Sequence, residues 1–430
     1  MLSGLIAPSL ARQRIHYGWV MVAITFLTML ATAASMGMPG VLLVPLQQGF
    51  GWDNGSVSGA MALRLLFYGA IEPFAAALMA RYGLKATICT ALLMIIAGLL
   101  LTTTMTTLWE LYLYWGVLVG MGTGMTAIVL GATVANRWFT AKRGLVLGLL
   151  TSAAATGQLA FVPVAAWLAE QYGWRSSVLA PISALCLAFV VMLLFGRDHP
   201  GDVNLAPYGE TGPPRPPAPQ PANGAVHTAF TTLGDAAQHR MFWVLFFTFA
   251  VCGFTTNGLV QTHFIPLCQD YGMTAVAGAG VMALMGMFDF VGAIGSGYLS
   301  DRFAPHKLLF WYFALRGLSL LVLPYSSFSL VGLSAFAVFY GMDWIATVPP
   351  TVKLAASGFG REQAPLVFGW IFTGHQVGAA LAAYGAGVTH DQLGTYLPAF
   401  MTGGILCLVA AAIALRARPA RVGAQALAAE

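Results

Sequence analysis

Ionisable residues inside long apolar segments are the part of this sequence that could do chemistry. Arg64, Tyr68 and Glu72 are spaced four residues apart, so a helix would place all three on one face. An arginine offers paired donors to a carboxylate, and a carboxyl group can carry a proton. In a bilayer, a charged side chain costs about 2.5 to 3.5 kcal/mol even on the most lenient scale. Each such residue therefore predicts either a binding site or an ion pair.

A second set of charges lies in apolar segments of the later part of the chain, at Asp289, Arg316 and Asp343. Arg316 could form a structural ion pair with Asp289 or Asp343, and Glu72 could neutralise Arg64 in the same way. Alternatively, Arg64 binds an anionic group while Asp289, Glu72 or Asp343 carries a proton. The sequence leaves both alternatives open.

Polar side chains in neighbouring apolar segments could complete a site for a small solute, because such sites use a few oriented hydrogen bonds. A histidine could also relay a proton, although a hydrogen-bonded histidine between helices explains His375 equally well. The residues that we expect to contact the solute are Arg64, Tyr68, Gln158, Asn257, Asp289, Tyr340 and His375.

No group of residues predicts catalysis. The sequence has no Walker-type phosphate loop and no nucleophile beside a base on a polar segment. Its five cysteines are scattered among apolar residues without the spacing of a metal site. We therefore expect no enzyme active site, no metal and no cofactor.

Composition places the candidate residues in a membrane. Of 430 residues, 58% are hydrophobic and 8% are charged, whereas a soluble domain carries roughly 25% charged residues. A helix satisfies its own backbone in hydrocarbon, so apolar runs of spanning length are expected to be helical. The sequence predicts an all-α membrane protein with twelve transmembrane helices. Their spans are 18–46, 56–80, 86–106, 109–136, 144–168, 174–196, 241–267, 274–298, 307–325, 328–352, 364–388 and 395–416.

The positions of the basic residues predict the orientation of the chain. Basic residues near helix ends stay on the cytoplasmic side. We therefore expect both termini and the central loop in the cytoplasm, in a multi-pass protein of the inner (plasma) membrane. The net charge of +5 needs no nucleic-acid partner to explain it. The Lys and Arg residues predicted on this side are Arg12, Arg14, Arg81, Lys85, Arg137, Lys142, Arg143, Arg197, Arg215, Arg240, Arg302, Lys307, Lys353, Arg361, Arg416, Arg418 and Arg421.

A polar segment divides the chain near its middle. Residues 197–240 include a proline-rich run at 212–221, which predicts a semi-extended cytoplasmic linker between bundles 1–196 and 241–430. An offset of 221 residues aligns several positions of the two parts, which indicates an internal duplication. The aligned pairs are Leu78 with Leu299, Arg81 with Arg302, Gly148 with Gly369, Gly157 with Gly378 and Gly173 with Gly394.

Two stretches resemble the loop that follows the second helix of each half in the major facilitator superfamily. Residues 297–302 read Gly-Tyr-Leu-Ser-Asp-Arg, and residues 76–85 form a worn copy with Ala80 at the acidic position. The resemblance implies two pseudo-symmetric bundles of six helices each. It also implies that Asp301, Arg302 and Arg81 belong to a gate between helix ends.

Within that superfamily the chain is similar to the monocarboxylate porters and the oxalate:formate antiporters. Tyr-Gly-Trp-Val at 17–20 and Arg-Trp-Phe-Thr-Ala-Lys-Arg-Gly at 137–144 carry this resemblance. It implies secondary active transport of a small organic anion, by alternating access and coupled to protons. One position departs from the porters, which have an arginine four residues after the aspartate of the eighth helix. Here Ala293 follows Asp289.

Two other functions also fit the sequence. Efflux of an amphipathic drug or a chelating metabolite would suit a cavity with many aromatic residues, and a transporter-like ligand sensor is the alternative from another class. For the transporter we expect a small-molecule substrate, a proton and membrane lipid as partners, no nucleic acid, and a monomer.

Overall fold

Helices make up almost all of the chain. The computed structural model describes residues 15–210 and 224–417, except for the side chains of residues 154–156, 158–160, 225, 361 and 362. These residues contain many α-helices and no β-strand. Among them, ten helices are long and apolar enough to cross a membrane. The prediction of an all-α, multi-pass membrane protein is thus confirmed, while the number twelve stays a prediction.

We number the helices in chain order and treat short internal irregularities as part of one helix. They are α1 Tyr17–Phe50, α2 Asn54–Tyr82, α3 Leu84–Thr102, α4 Leu108–Trp138, α5 Arg143–Tyr172, α6 Trp174–Phe195, α7 Ala225–Ala237, α8 Arg240–Asp270, α9 Ala275–Arg302, α10 Pro305–Tyr325, α11 Ser334–Asp343, α12 Val348–Leu393 and α13 Leu397–Ala414. The label α12 covers two helices, because the backbone of Gly360 is non-helical and forms a kink between them.

Several helices are interrupted where their sequences disfavour regular α-helix. Helix α1 breaks at Gly37, two residues before Pro39, which cannot donate a backbone hydrogen bond. Helices α4 and α8 contain π-helical stretches at Tyr112–Val119 and Phe254–Val260. Such π-turns often mark functional positions within membrane helices and elsewhere.

The predicted span 328–352 is not one helix in the structure. Helix α11 ends at Asp343, and α12 begins at Val348 with Pro349 in its first turn. The carboxylate of Asp289 accepts a hydrogen bond from the backbone N–H of Ile345, at 2.9 Å. A side-chain acceptor thus replaces the helical hydrogen bond in the interruption.

The predicted linker is partly helical. The short 3₁₀-helix Pro200–Val203 and helix α7 both lie within 197–240, whereas the proline-rich run 212–221 lies outside the described residues. Helix α7 is held by Trp370, whose indole N–H donates to the carbonyl of Ala229 at 2.9 Å. Phe230 of α7 also packs against the rings of Phe74 and Trp370. The semi-extended form was therefore a wrong prediction for α7, because apolar contacts with α2 and α12 stabilise a helix there.

Helix α4 approaches α2 through a row of glycines at positions 116, 120 and 124. A Cβ atom on Gly116 would lie 2.9 Å from the side chain of Leu63, and one on Gly120 would lie 2.8 Å from the carbonyl oxygen of Arg64. Small residues at every fourth position permit this close contact between helix backbones. The row therefore fixes the part of α2 that carries Arg64.

Helix α12 covers another side of α2. The hydroxyl of Thr373 donates to the carbonyl of Gly69 at 3.0 Å, and a Cβ on Gly69 would lie 2.5 Å from the Cβ of Gln376. Farther along, a Cβ on Gly387 would lie 2.5 Å from the hydroxyl of Ser58. Helix α2 is thus enclosed between α4 and α12, and α12 belongs to the part of the chain after the linker.

We predict that Gly120→Ala destabilises the protein by about 1–3 kcal/mol, because the added methyl group meets the α2 backbone and neither helix can yield freely. The matched control is Gly385→Ala in α12, where an added Cβ meets nothing within 4 Å. That variant should be neutral or slightly stabilising, since alanine favours helix. Thermal unfolding in one detergent compares the two. Equal midpoints for both variants would contradict the close α2–α4 contact.

Candidate functional site

Arg64 lies in the middle of α2 with its side chain completely buried. All three guanidinium nitrogens are enclosed, and none has a hydrogen-bond partner among the residues that the structure describes. A buried cation without a partner is strongly unfavourable. The donors of this guanidinium are therefore unused within the described part of the chain.

Glu72 does not neutralise Arg64. The two residues are eight positions apart on α2, which is about 12 Å along a helix axis. No ion pair joins them within the described part of the chain, and the Oε2 atom of Glu72 is buried without a hydrogen bond. Helix α2 thus carries a free guanidinium and a carboxyl group with an unbonded oxygen, both buried and two turns apart.

Tyr68 connects this face of α2 to α12 and α8. Its ring lies 5.8 Å from that of Phe372, which in turn stacks on His375 at 5.2 Å between ring centroids. The Nε2 atom of His375 lies 3.5 Å from the hydroxyl of Thr256, the neighbour of Asn257 in the π-helical stretch of α8. Two predicted contact residues, Tyr68 and His375, therefore lie along one series of contacts from α2 through α12 to α8.

Gln376 belongs to the same region and was not among the predicted contact residues. Its side chain is completely buried, and neither the oxygen nor the nitrogen of its amide has a partner among the described residues. It packs on Gly69, one residue after Tyr68. Two other amides, Gln158 and Asn257, were predicted from their apolar surroundings, and the same signal was available for Gln376 beside His375. The side chain of Gln158, which was predicted to contact the solute, lies outside the described residues.

Arg316 is engaged by other protein groups. Its Nε atom lies 2.5 Å from Oδ2 of Asp343, and its remaining nitrogens donate to the carbonyls of Asp343 and Trp344 and to the sulfur of Cys252. These contacts tie α10 to the end of α11 and to α8. Arg316 therefore holds the interruption after α11 in place, and four of its five N–H donors already bind protein groups.

Asp289 and Tyr340 are likewise occupied by neighbouring helices. Asp289 binds the N–H of Ile345, as described above, and the Tyr340 hydroxyl donates to the carbonyl of Thr255 at 2.7 Å. Both residues were predicted to contact the solute, whereas here they connect α9, α11 and α8. The buried ionisable residues thus form two groups, an engaged one around Arg316 and an unsatisfied one around Arg64.

The three predicted gate residues lie at helix ends. Asp301 pairs with Lys353 at 3.2 Å, and the same ammonium donates to the carbonyl of Ser300 at 2.6 Å. The guanidinium of Arg302 lies over the ring of Tyr298, at 4.2 Å from its centroid. The guanidinium of Arg81 lies 5.3 Å from the centroid of the Tyr82 ring. Lys353 had not been predicted as a partner of Asp301, because the two are 52 residues apart in sequence.

Comparison with known proteins identifies the family. Residues 25–383 match the family model of the Major Facilitator Superfamily. An uncharacterized MFS-type transporter, YcxA, of Bacillus subtilis is 23% identical over 92% of this chain and 91% of its own length. Monocarboxylate transporter 13 of Bos taurus is 24% identical over 92% of this chain and 88% of its own length. Monocarboxylate transporter 12 of Rattus norvegicus is 24% identical over 90% of this chain and 82% of its own length.

The match to the family model extends over most of the chain, and the helices described above fit the fold of that family. Its relatives are named as transporters of this superfamily or as monocarboxylate transporters. The chain belongs to the Major Facilitator Superfamily and is a transporter rather than an enzyme.

Proposed function

We propose that this transporter moves a small organic anion, a monocarboxylate or a close analogue, and that Arg64 binds its carboxylate. The observation that carries the proposal is the buried guanidinium without a protein partner. Among the residues that the structure describes, two arginines are almost completely buried, and the other one, Arg316, is engaged by Asp343. A guanidinium binds a carboxylate through two parallel hydrogen bonds, so a substrate would supply what the protein leaves unsatisfied.

Arg64 would also supply the cation that α9 lacks, because Ala293 stands four residues after Asp289. In our proposal the cation has moved to α2, and Asp289 has become a structural acceptor for Ile345. The relatives named as monocarboxylate transporters support the substrate class.

We assign proton coupling to Glu72. Asp343 and Glu72 each keep one buried oxygen without a hydrogen bond, but the charge of Asp343 is paired with Arg316 through Oδ2. Asp289 is hydrogen-bonded to the backbone of Ile345, so Glu72 is the candidate with no ion pair among the described residues. It lies on the same face of α2 as Arg64. A carboxylate on Arg64 together with a proton on Glu72 leaves this face without net charge, which favours passage through a low-dielectric interior.

The architecture in this proposal is the duplicated one, with bundles 1–196 and 241–430, a cytoplasmic linker 197–240 and twelve membrane helices. Besides the ten spanning helices, α5 and the broken region from α11 into α12 would supply the other two. Both termini lie in the cytoplasm of the inner membrane, and the monomer transports by alternating access. At the basic end, Arg137 donates to the carbonyls of Met79 and of Asp198 in the linker, and Lys353 donates to the carbonyl of Ser300. None of these three bonds joins one bundle to the other, which supports an inward-open conformation.

Counterflow in proteoliposomes tests the substrate class directly. We expect labelled lactate or formate to exchange, with uptake increased when the outside is more acidic than the inside. Oxalate tests whether a second carboxylate is accepted. If no carboxylate exchanges while a hydrophobic cation is expelled, the proposal fails and the efflux alternative replaces it.

We predict that Arg64→Ala reduces carboxylate affinity by at least about 30-fold, the lower limit for truncating one partner of a buried charge pair. The empty protein should keep or raise its unfolding midpoint, because an unpaired buried charge is removed. The control is Arg316→Ala, which leaves Asp343 unpaired and should destabilise the protein by about 3–5 kcal/mol. Unchanged carboxylate affinity in the Arg64 variant, or destabilisation equal to that of the control, would give Arg64 a structural role only.

We predict that Glu72→Gln keeps anion exchange at equal pH on both sides but loses accumulation driven by a pH gradient. An amide of the same shape fills the site and cannot carry the proton. The control is Glu110→Gln at the start of α4, where the exposed carboxylate bonds only to residues 106 and 107. That variant should accumulate anion as the parent does. Accumulation by the Glu72 variant at the parent's level excludes Glu72 as the proton carrier.

A further inference from the structure

Helices α2 and α9 begin with equivalent local caps. Asp53 accepts a hydrogen bond from the N–H of Ser56 at 2.8 Å, and Thr274 accepts one from the N–H of Ala277 at 3.1 Å. Both caps follow the usual rule that a side-chain oxygen satisfies an unpaired N–H in the first turn. Each residue of the first cap lies 221 positions before its counterpart in the second, the offset found in the sequence.

A second acceptor reaches each of these helices from the other side of the linker. Asp391, at the end of α12, accepts from the N–H of Asn54 at 2.8 Å and from that of Gly55 at 2.6 Å. Glu170, at the end of α5, accepts from the N–H of Val276 at 2.9 Å. Glu170 and Asp391 are again 221 residues apart, as are Gly55 and Val276. The cross-contact is therefore duplicated, with donor and acceptor exchanged between the two parts of the chain.

Both contacts are electrostatically favourable. The first amides of a helix have no helical partner, and the helix dipole places partial positive charge there, so a carboxylate is attracted to this end. A Cβ on Gly55 would lie 3.0 Å from Oδ2 of Asp391, so the glycine permits the close approach. The side-chain amide of Asn54 also donates to the hydroxyl of Tyr396, which adds a hydrogen bond between the start of α2 and the segment that follows α12.

Both carboxylates are also exposed at the rim of the protein. Water can therefore solvate each of them when its contact separates, and an exposed contact of this kind breaks and forms again readily. Such contacts suit a reversible closure better than a permanent joint.

We propose that these two contacts, the Asp391 latch on α2 and the Glu170 latch on α9, hold this end of the transporter closed and must both break before it opens. The proposal rests on alternating access in the proposed function, but it does not depend on the substrate. Each latch joins a helix before the linker to one after it, so separation of the two parts breaks both contacts together.

Alkylation of a cysteine beneath the latches tests this proposal. Ser58 is completely buried beside Gly387 of α12, so a Ser58→Cys thiol reacts with a maleimide only when α2 and α12 separate. In purified protein in lipid nanodiscs, Asp391→Asn and Glu170→Gln should each raise the labelling rate about two- to fivefold, the range expected for removing a charge from a helix N-terminus. The double variant should raise the rate by about the product. Protein without Ser58→Cys gives the background from the native cysteines.

The matched control is Asp53→Asn, which removes a carboxylate from the same end of α2 without touching α12. Because asparagine also caps helices well, labelling should stay at the parent's rate. The latches are overturned if the double variant labels at the parent's rate, if either single variant has no effect, or if the control matches the latch variants. The assay uses no substrate, so these outcomes stand whether or not the protein carries an organic anion.

Discussion

A charge buried in a membrane protein must find an opposite charge or a full set of hydrogen bonds, and this requirement organises the helices around their buried ionisable groups. Arg316 meets it through Asp343, Cys252 and two carbonyls, and these contacts hold the interruption between α11 and α12. Arg64 does not meet it from within the described part of the chain. The difference between these two arginines is the basis for assigning substrate binding to one of them.

The position of Arg64 depends on close backbone packing. The glycines of α4 allow this helix to approach the α2 backbone at Arg64, and Gly69, the residue after Tyr68, gives α12 the same access. A larger side chain at Gly120 would move the helix and with it the guanidinium. Electrostatics and packing therefore act on the same short segment of α2, which also carries Glu72.

Much of this organisation could be predicted from the sequence, because apolar length, basic residues and intramembrane charges are local signals. They predicted the all-α fold and the membrane, and they selected Arg64, Tyr68 and Glu72, which are buried in the structure. The partner of a charged side chain, in contrast, cannot be predicted from the residues near it in sequence. The engagement of Asp289 by a backbone N–H of the next broken helix, and of Asp301 by Lys353, depends on three-dimensional contacts between distant segments. The burial of Gln376 without a hydrogen-bond partner likewise depends on the packing of α12 against Gly69 of α2.

The central claim is that the empty protein keeps a buried guanidinium for a carboxylate, and ligand-dependent thermal stability tests it most directly. A ligand that binds only the folded state raises the unfolding midpoint, and the shift grows with the ratio of ligand concentration to dissociation constant. We predict that millimolar lactate raises the midpoint of the unmodified protein, while lactamide, which has the same shape without the negative charge, leaves it unchanged. An equal shift with lactamide would show that no cation in the protein selects the carboxylate, and would contradict the account.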